Sequence, residues 1–244
     1  MIKQVIKGVT AYFGAFQLIS KLKLWKYFTI PIIISVLTAV LIGTLSYAWS
    51  DNIGNYITDF WKWEFGKETF KIISTFFSGL LIIVIGLVLY KHIVMALSAP
   101  FMSPVSEKIE EHLVGKNKHY RKTSFKEQLI RGIRINIRNL FRELFFTVPI
   151  LLLSFIPIIG FFSAILLFIM QAYYAGFGNV DYTLERHFKY KESIGFVKNN
   201  KGIAIGNGLV FMLFLLVPFI GVLFVLPLSV TAATTETIKQ IHQK

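Results

Sequence analysis

Cysteine is absent from all 244 residues, so disulfides, thiolate nucleophiles and cysteine-ligated metals are excluded and the redox compartment is left open. Acid is scarce as well, with 13 Asp and Glu against 26 Lys and Arg, a net charge of +13. Charge of either sign makes up only 16% of the chain, where a soluble domain carries about a quarter. The five histidines, at 92, 112, 119, 187 and 242, show no metal-ligand spacing. Gly206-Asn207-Gly208 lacks the rest of a phosphate loop, and there is no ATP-binding motif. No catalytic residue, metal or cofactor is therefore expected, and an enzyme is not.

What the chain has is apolar surface: 55% hydrophobic residues, including 24 Phe, 10 Tyr and 4 Trp. These residues are gathered in long uncharged runs, the arrangement that suits lipid rather than water as solvent. In such a chain a cationic excess belongs to loops on the cytoplasmic side, not to a nucleic-acid surface. Lys3 and Lys7 lead into a mixed stretch ending in Lys21, Lys23 and Lys26, unlike a cleavable export signal. The amino terminus is expected to stay on the mature protein.

The four apolar runs divide into two kinds. Tyr27 to Trp49 is 23 residues without a charge, enough as a helix to span a hydrocarbon core of about 30 Å. Ile72 to Tyr90 is 19 uncharged residues, extendable to Ser98 before Pro100, and reads as the return crossing. Asp51 to Lys71, with four acids, three Lys and the pair Trp61 and Trp63, reads as an outside loop on the membrane surface. Residues 145–180 and 202–235 are 36 and 34 residues long, too long for one crossing and short for two. Each has a breaker near its middle: Ile156-Pro157-Ile158-Ile159-Gly160 and Val217-Pro218-Phe219-Ile220-Gly221. Proline ends the incoming helix and glycine permits reversal. Pro157, Gly160, Pro218 and Gly221 are thus the expected turns of two re-entrant helical hairpins.

Charge supports that reading. Segments 1–26, 91–144, 181–201 and the tail from Glu236 are all net basic, and all can lie on the cytoplasmic side if both hairpins leave by the face they entered. A plain four-helix bundle would put 181–201 outside; six crossings would keep the same sidedness. The expected protein is all-α and polytopic, one integral membrane domain over 1–244. It has a basic amino terminus (1–26), membrane helices at 27–49 and 72–98, a cytoplasmic basic amphipathic region (99–144) and hydrophobic hairpins at 145–180 and 202–235. Both termini are expected in the cytoplasm.

Within 99–144, Glu107 to Glu111 reads as a solvent-facing helix and Gly115 to Thr123 as a mobile basic loop. Ser124, with Glu127 three residues on, reads as the N-cap of an amphipathic helix. On that helix Arg131, Arg134, Arg138 and Arg142 recur at spacings of three, four and four and form one cationic stripe. The stripe could contact anionic lipid heads or concentrate an anionic substrate at a vestibule. Asp181-Tyr182-Thr183-Leu184-Glu185-Arg186-His187 is the one dense polar cluster. Asp181 could cap a helix there with Glu185 pairing on its surface, or Asp181, Tyr182 and His187 could form a polar network at a pathway mouth.

These residues together resemble the etoposide-induced protein family, whose bacterial branch includes sulfate permeases of the CysZ type. The resemblance rests on Ala99-Pro100-Phe101 followed by Glu107-Lys108-Ile109-Glu110, on Arg142-Glu143-Leu144, and on the Pro157 breaker. It continues in Asp181-Tyr182 with His187, Val217-Pro218-Phe219-Ile220, and the stretch Leu226 to Thr234. It implies a homo-oligomeric inner-membrane protein with two long transmembrane helices and two partly penetrating hairpins, taking up sulfate for cysteine synthesis. Where that branch reads Gly-Leu-Arg-Arg, a motif tied to sulfate binding, this chain reads Lys23-Leu24-Trp25-Lys26; only Leu24 and the cation at Lys26 match. Leu24, Trp25 and Lys26 are the substrate-binding residues this resemblance implies, Lys26 standing ahead of a helix whose N-terminus favours an anion. The expected partners are membrane lipid, an inorganic anion and further copies of the chain. The rival reading is a non-transporting scaffold that binds a partner or anionic lipid through the Arg131 to Arg142 stripe.

Overall fold

The computed structural model describes residues 1–60, 66–115, 121–154, 156–217 and 220–242. Trp61, Trp63, Lys116, Lys118, His119, Pro218 and Phe219 lie outside them. Every described element is helical: α1 (Ile2–Lys21), a 3₁₀ turn (Leu24–Tyr27), α2 (Thr29–Thr58), α3 (Lys67–Val114), α4 (Phe125–Ser154), α5 (Pro157–His187), α6 (Tyr190–Asn199), α7 (Lys201–Leu215) and α8 (Ile220–His242). Three of them are long and apolar enough to cross a membrane: α2, α3, and α5 from Ile159. The chain is an all-α membrane protein. It forms two compact units, one of residues Met1–Ile34 with His92–Lys244 and one of Ser35–Lys91.

The smaller unit is a pair of helical segments held by small residues, as lipid-solvated helices usually are, because close backbone approach replaces the hydrophobic drive that lipid removes. Ser46 Oγ donates to the Gly79 carbonyl at 2.9 Å. Gly54 leaves room for Thr75 and Gly86 for Ile42. Both expected boundaries move here. α2 runs past Trp49 and Asp51 to Thr58, so part of the expected surface loop is helix. Charged and polar residues do not stop a helix whose backbone bonds are internal.

In the larger unit α5 packs against α4, α7 and α8, and α1 against α7 and α8. Sequence reading had given residues 1–26 no element. They form a 20-residue helix that ends where Lys23 takes the left-handed region at φ 52°. Pro100 does not end α3, which passes through both Pro100 and Pro104 to Val114. Two side chains of α5 tie α3 down along this stretch: the Tyr182 hydroxyl donates to the Met95 carbonyl at 2.5 Å and Arg186 Nη1 to the Ser103 carbonyl at 3.3 Å. In consequence Glu107 to Glu111 is not a separate solvent-facing helix but the end of α3, with Ile109 and Glu110 buried.

The amphipathic helix and the first apolar arm are one element, α4, capped as expected by Ser124 Oγ accepting from Glu127 N at 3.3 Å. Of the expected turn residues, Pro157 and Gly160 lie in the first turn of α5 and Gly221 in the first turn of α8, while Pro218 is outside the described residues. Pro157 opens α5, a position where its missing N–H costs nothing. Gly160 and Gly221 repeat one device: a Cβ on either would run into a carbonyl of the incoming helix, Ser154 in one case and Phe214 in the other. α5 does not stop at Val180 but continues through the polar cluster to His187, so Asp181 is a mid-helix residue and no cap. The closest crossing is that of α5 with α7, where Gly176 faces the Ala204 carbonyl and Gly208 the Ala172 carbonyl with no space for a side chain.

Candidate functional site

The interior of the larger unit is polar in a way its composition hides. One line of side chains begins at α1, where the Tyr12 hydroxyl lies 2.8 Å from the Asn207 carbonyl, to which it donates, and 2.8 Å from Ser229 Oγ. Asn207 Nδ2 donates to the Ser229 carbonyl at 2.9 Å, and Asn179 Nδ2 to Asn207 Oδ1 at 2.9 Å. One turn further along α5, Thr183 Oγ1 meets Thr234 at 3.0 Å and Ser106 at 2.8 Å. Positions four apart share a helix face, so Asn179 and Thr183 continue one line. It ends at Arg186, which donates to Ser106 Oγ at 2.9 Å and Glu110 Oε2 at 2.8 Å. Asn179, Thr183, Asn207, Ser229 and Glu110 have no exposed surface at all.

Two carboxylates organise the cytoplasm-expected end of this line. Glu110 accepts from Arg186 on one oxygen and meets His187 Nε2 on the other at 2.7 Å. Asp181 takes a two-pronged Arg131 pair at 2.9 Å on each oxygen, a geometry that suits a planar guanidinium, and a further bond from Ser193. Burial alone would lower the Arg131 guanidinium's pKa, but the bonds and charge of Asp181 outweigh it and hold it above the usual arginine value. Glu185 is not a surface partner, as one reading of the cluster had it, but is 2% exposed with Oε1 unbonded. A third buried group joins α3 to α4: His92 Nε2 to Glu143 at 3.0 Å and His92 Nδ1 to Asn136 at 3.4 Å.

The sequence-predicted residues therefore part company. Asp181, Tyr182 and His187 are each hydrogen-bonded, but to separate partners: Arg131 for Asp181, the Met95 carbonyl for Tyr182, Glu110 for His187. The arginine stripe divides. Arg131 is consumed by Asp181 and the Phe188 carbonyl, and Arg134 lies over the Tyr190 ring at 4.0 Å. Arg138 and Arg142 line a cavity of about 600 Å³. At the 3₁₀ turn Leu24 is fully buried, and Trp25 sits edge-on to Phe16, Phe28 and Phe224. Lys26 alone is exposed there, its Nζ 5.4 Å from the Tyr27 ring centre. Of Leu24, Trp25 and Lys26, only the lysine side chain and the turn's backbone can meet an anion.

Sequence reasoning did not single out His92, Asn136, Glu143, Asn179 or Asn207 as site residues. The signal was present, since an isolated Asn or Glu inside a helix of this hydropathy needs a buried partner. Among the described residues no group of three or more His, Asp or Glu is placed to hold a metal.

The family described as sulfate transporter CysZ/etoposide-induced protein 2.4 matches residues 11–225. No curated protein matches the chain.

Proposed function

Because the chain belongs to the sulfate transporter CysZ/etoposide-induced protein 2.4 family, a family of transporter type, we propose that it is an inner-membrane anion permease or channel, with sulfate as substrate and sulfur assimilation and cysteine synthesis as its destination. The observation that carries this reading is the buried polar line from Tyr12 through Asn207, Asn179 and Thr183 to Arg186. Polar groups inside a lipid-solvated bundle are costly, and they are kept where an ion or polar solute must pass. A doubly charged oxyanion surrenders strong hydration on entry. Hydroxyl and amide donors along the line can replace part of it, and Lys26 with the backbone of the turn before α2 offers the first contact.

In the proposed arrangement α2 and α3 cross the membrane, the α4–α5 and α7–α8 hairpins enter and return, and both termini lie in the cytoplasm. Non-helical backbone at the hairpin tips cannot face lipid, which favours assembly of several copies around them. The lysines at 7 and 191 then lie on one side and Asn55 on the other. Single Cys substitutions labelled by an impermeant reagent read this directly, since the native chain has no cysteine; labelling of 191 from the same side as 55 would reject the hairpins.

Radiolabelled sulfate entry into liposomes carrying the purified chain tests the function. The expected result is sulfate entry above that of empty liposomes and reduced by unlabelled sulfate more than by chloride. Entry no faster than in empty liposomes, from protein shown to be folded, would overturn the proposal.

A further inference from the structure

The cavity that Arg138 and Arg142 line has two unlike kinds of side chain. Arg138 and Arg142 reach it from α4, Lys198 and Lys201 from the α6–α7 junction. Among the described residues none of these four is paired with a carboxylate, whereas Arg131 and Arg186 are; Arg138 donates instead to the neighbouring Asn139 Oδ1 at 2.8 Å. Burial, and after it the like charge of Arg142, pushes the Arg138 guanidinium's pKa below the usual arginine value. Four cations facing one space repel each other, and an anion placed among them would relieve that repulsion.

Much of the rest of the lining is apolar, with Tyr173 and Tyr174 among it: Phe146, Leu166 and Ile169 belong to it, and they are 44%, 51% and 37% exposed. The position along the chain explains the pairing. Arg142 stands three residues before the uncharged run 145–180, and Lys201 directly before the run 202–235. The cations therefore sit where both segments pass from water into hydrocarbon, and the apolar liners lie one or more turns deeper. A small hydrated oxyanion gains nothing from such a lining; an amphiphile with an anionic head does.

We infer that this cavity binds an anionic phospholipid, its phosphate held by Arg138, Arg142, Lys198 and Lys201 and its acyl chains laid against the apolar side chains. The shared chemistry with the transported anion is a tetrahedral oxyanion, and the apolar lining is what selects the lipid. This inference does not rest on the transport proposal, and a chain without anion flux would still carry the site.

Native mass spectrometry of the full chain in detergent, titrated with phosphatidylglycerol or phosphatidylcholine, reads the site. Phosphatidylglycerol is expected to bind and phosphatidylcholine to bind far more weakly. Lys198 and Lys201 are exposed, so Lys198→Gln with Lys201→Gln should leave the fold intact. That pair is expected to lose about 30-fold in phosphatidylglycerol affinity, from about fivefold for each cation removed. Arg142→Gln, on a different helix, is expected to lose about fivefold, and Arg142→Lys to keep most of the binding. Equal binding of the two lipids, or unchanged phosphatidylglycerol affinity in both variants, would overturn the site. Displacement of phosphatidylglycerol by millimolar inorganic sulfate or phosphate would assign the cavity to a free oxyanion and equally reject the lipid.

Discussion

Arg131 and Arg138 lie two turns apart on one face of α4, yet they do different things. Arg131 closes on Asp181 with two bonds of 2.9 Å and is held charged by it; Arg138 looks into a cavity with Arg142 and two lysines and no carboxylate. Arg186, on α5, belongs with Arg131: it is 4% exposed and locked to a fully buried Glu110. The difference lies in what α5 and α7 place opposite, and it teaches that a cationic stripe read from spacing alone is not one functional object. Paired arginines hold the helices in place, because a buried charge that loses its partner is expensive to keep. Arg138, which donates to the Asn139 amide oxygen and meets no carboxylate, keeps further N–H donors for a ligand.

That contrast can be broken by removing partners. Glu110→Gln strands Arg186 and is expected to cost about 3 to 5 kcal/mol, the range for an uncompensated buried charge, read as a lowered unfolding midpoint in detergent. Asp181→Asn strands Arg131, whose side chain is 11% exposed and so keeps some hydration; the expected cost is about 1.5 to 3 kcal/mol, the range for hydrogen bonds to a charged group. A midpoint unchanged in both variants would mean that these pairs do not hold the helices.

The free cations should answer through ligands instead. If Lys26 receives the anion, Lys26→Gln is expected to cost about 1 to 3 kcal/mol of sulfate affinity by isothermal titration, and Lys26→Arg to preserve it. Wild-type affinity in Lys26→Gln would leave Lys26 as one of several cytoplasmic anchors beside Lys21 and Lys23. Smallest of all is the stability effect of Arg142→Gln, expected within about 0.5 kcal/mol because the side chain is exposed and without a carboxylate partner. A loss as large as that of Asp181→Asn would place Arg142 among the structural arginines.

The helical membrane class, the helix start at Pro157 and the cap at Ser124 are legible in the sequence, because each depends on local chemistry. A proline without an N–H and a glycine under a carbonyl act wherever the chain puts them. Sequence reading mislaid the end of α3, because that stretch is tied to α5 by Tyr182 and Arg186, more than 75 residues away. For the same reason Glu110 was taken as solvated, and Asp181 as a possible cap when α5 runs through it. The amino-terminal helix is not evident because Lys3, Lys7 and Lys21 point to topology rather than to Gly8, Ala15 and Ile19, which mark one buried face. Charge pattern tells which residues are cations; only the fold tells which of them already have a partner.

The account turns on whether the buried polar line is a path for an oxyanion or a seam between helices. Tyr12→Phe with Ser229→Ala removes both hydroxyls at one end of it while keeping side-chain size nearly unchanged. Radiolabelled sulfate entry into liposomes, compared with wild type at equal amounts of folded protein, tests this most directly. A path predicts a fall of about tenfold, from a barrier raised by roughly one to two lost hydrogen bonds. Sulfate entry at the wild-type rate in this variant would contradict the path and leave the line a structural seam.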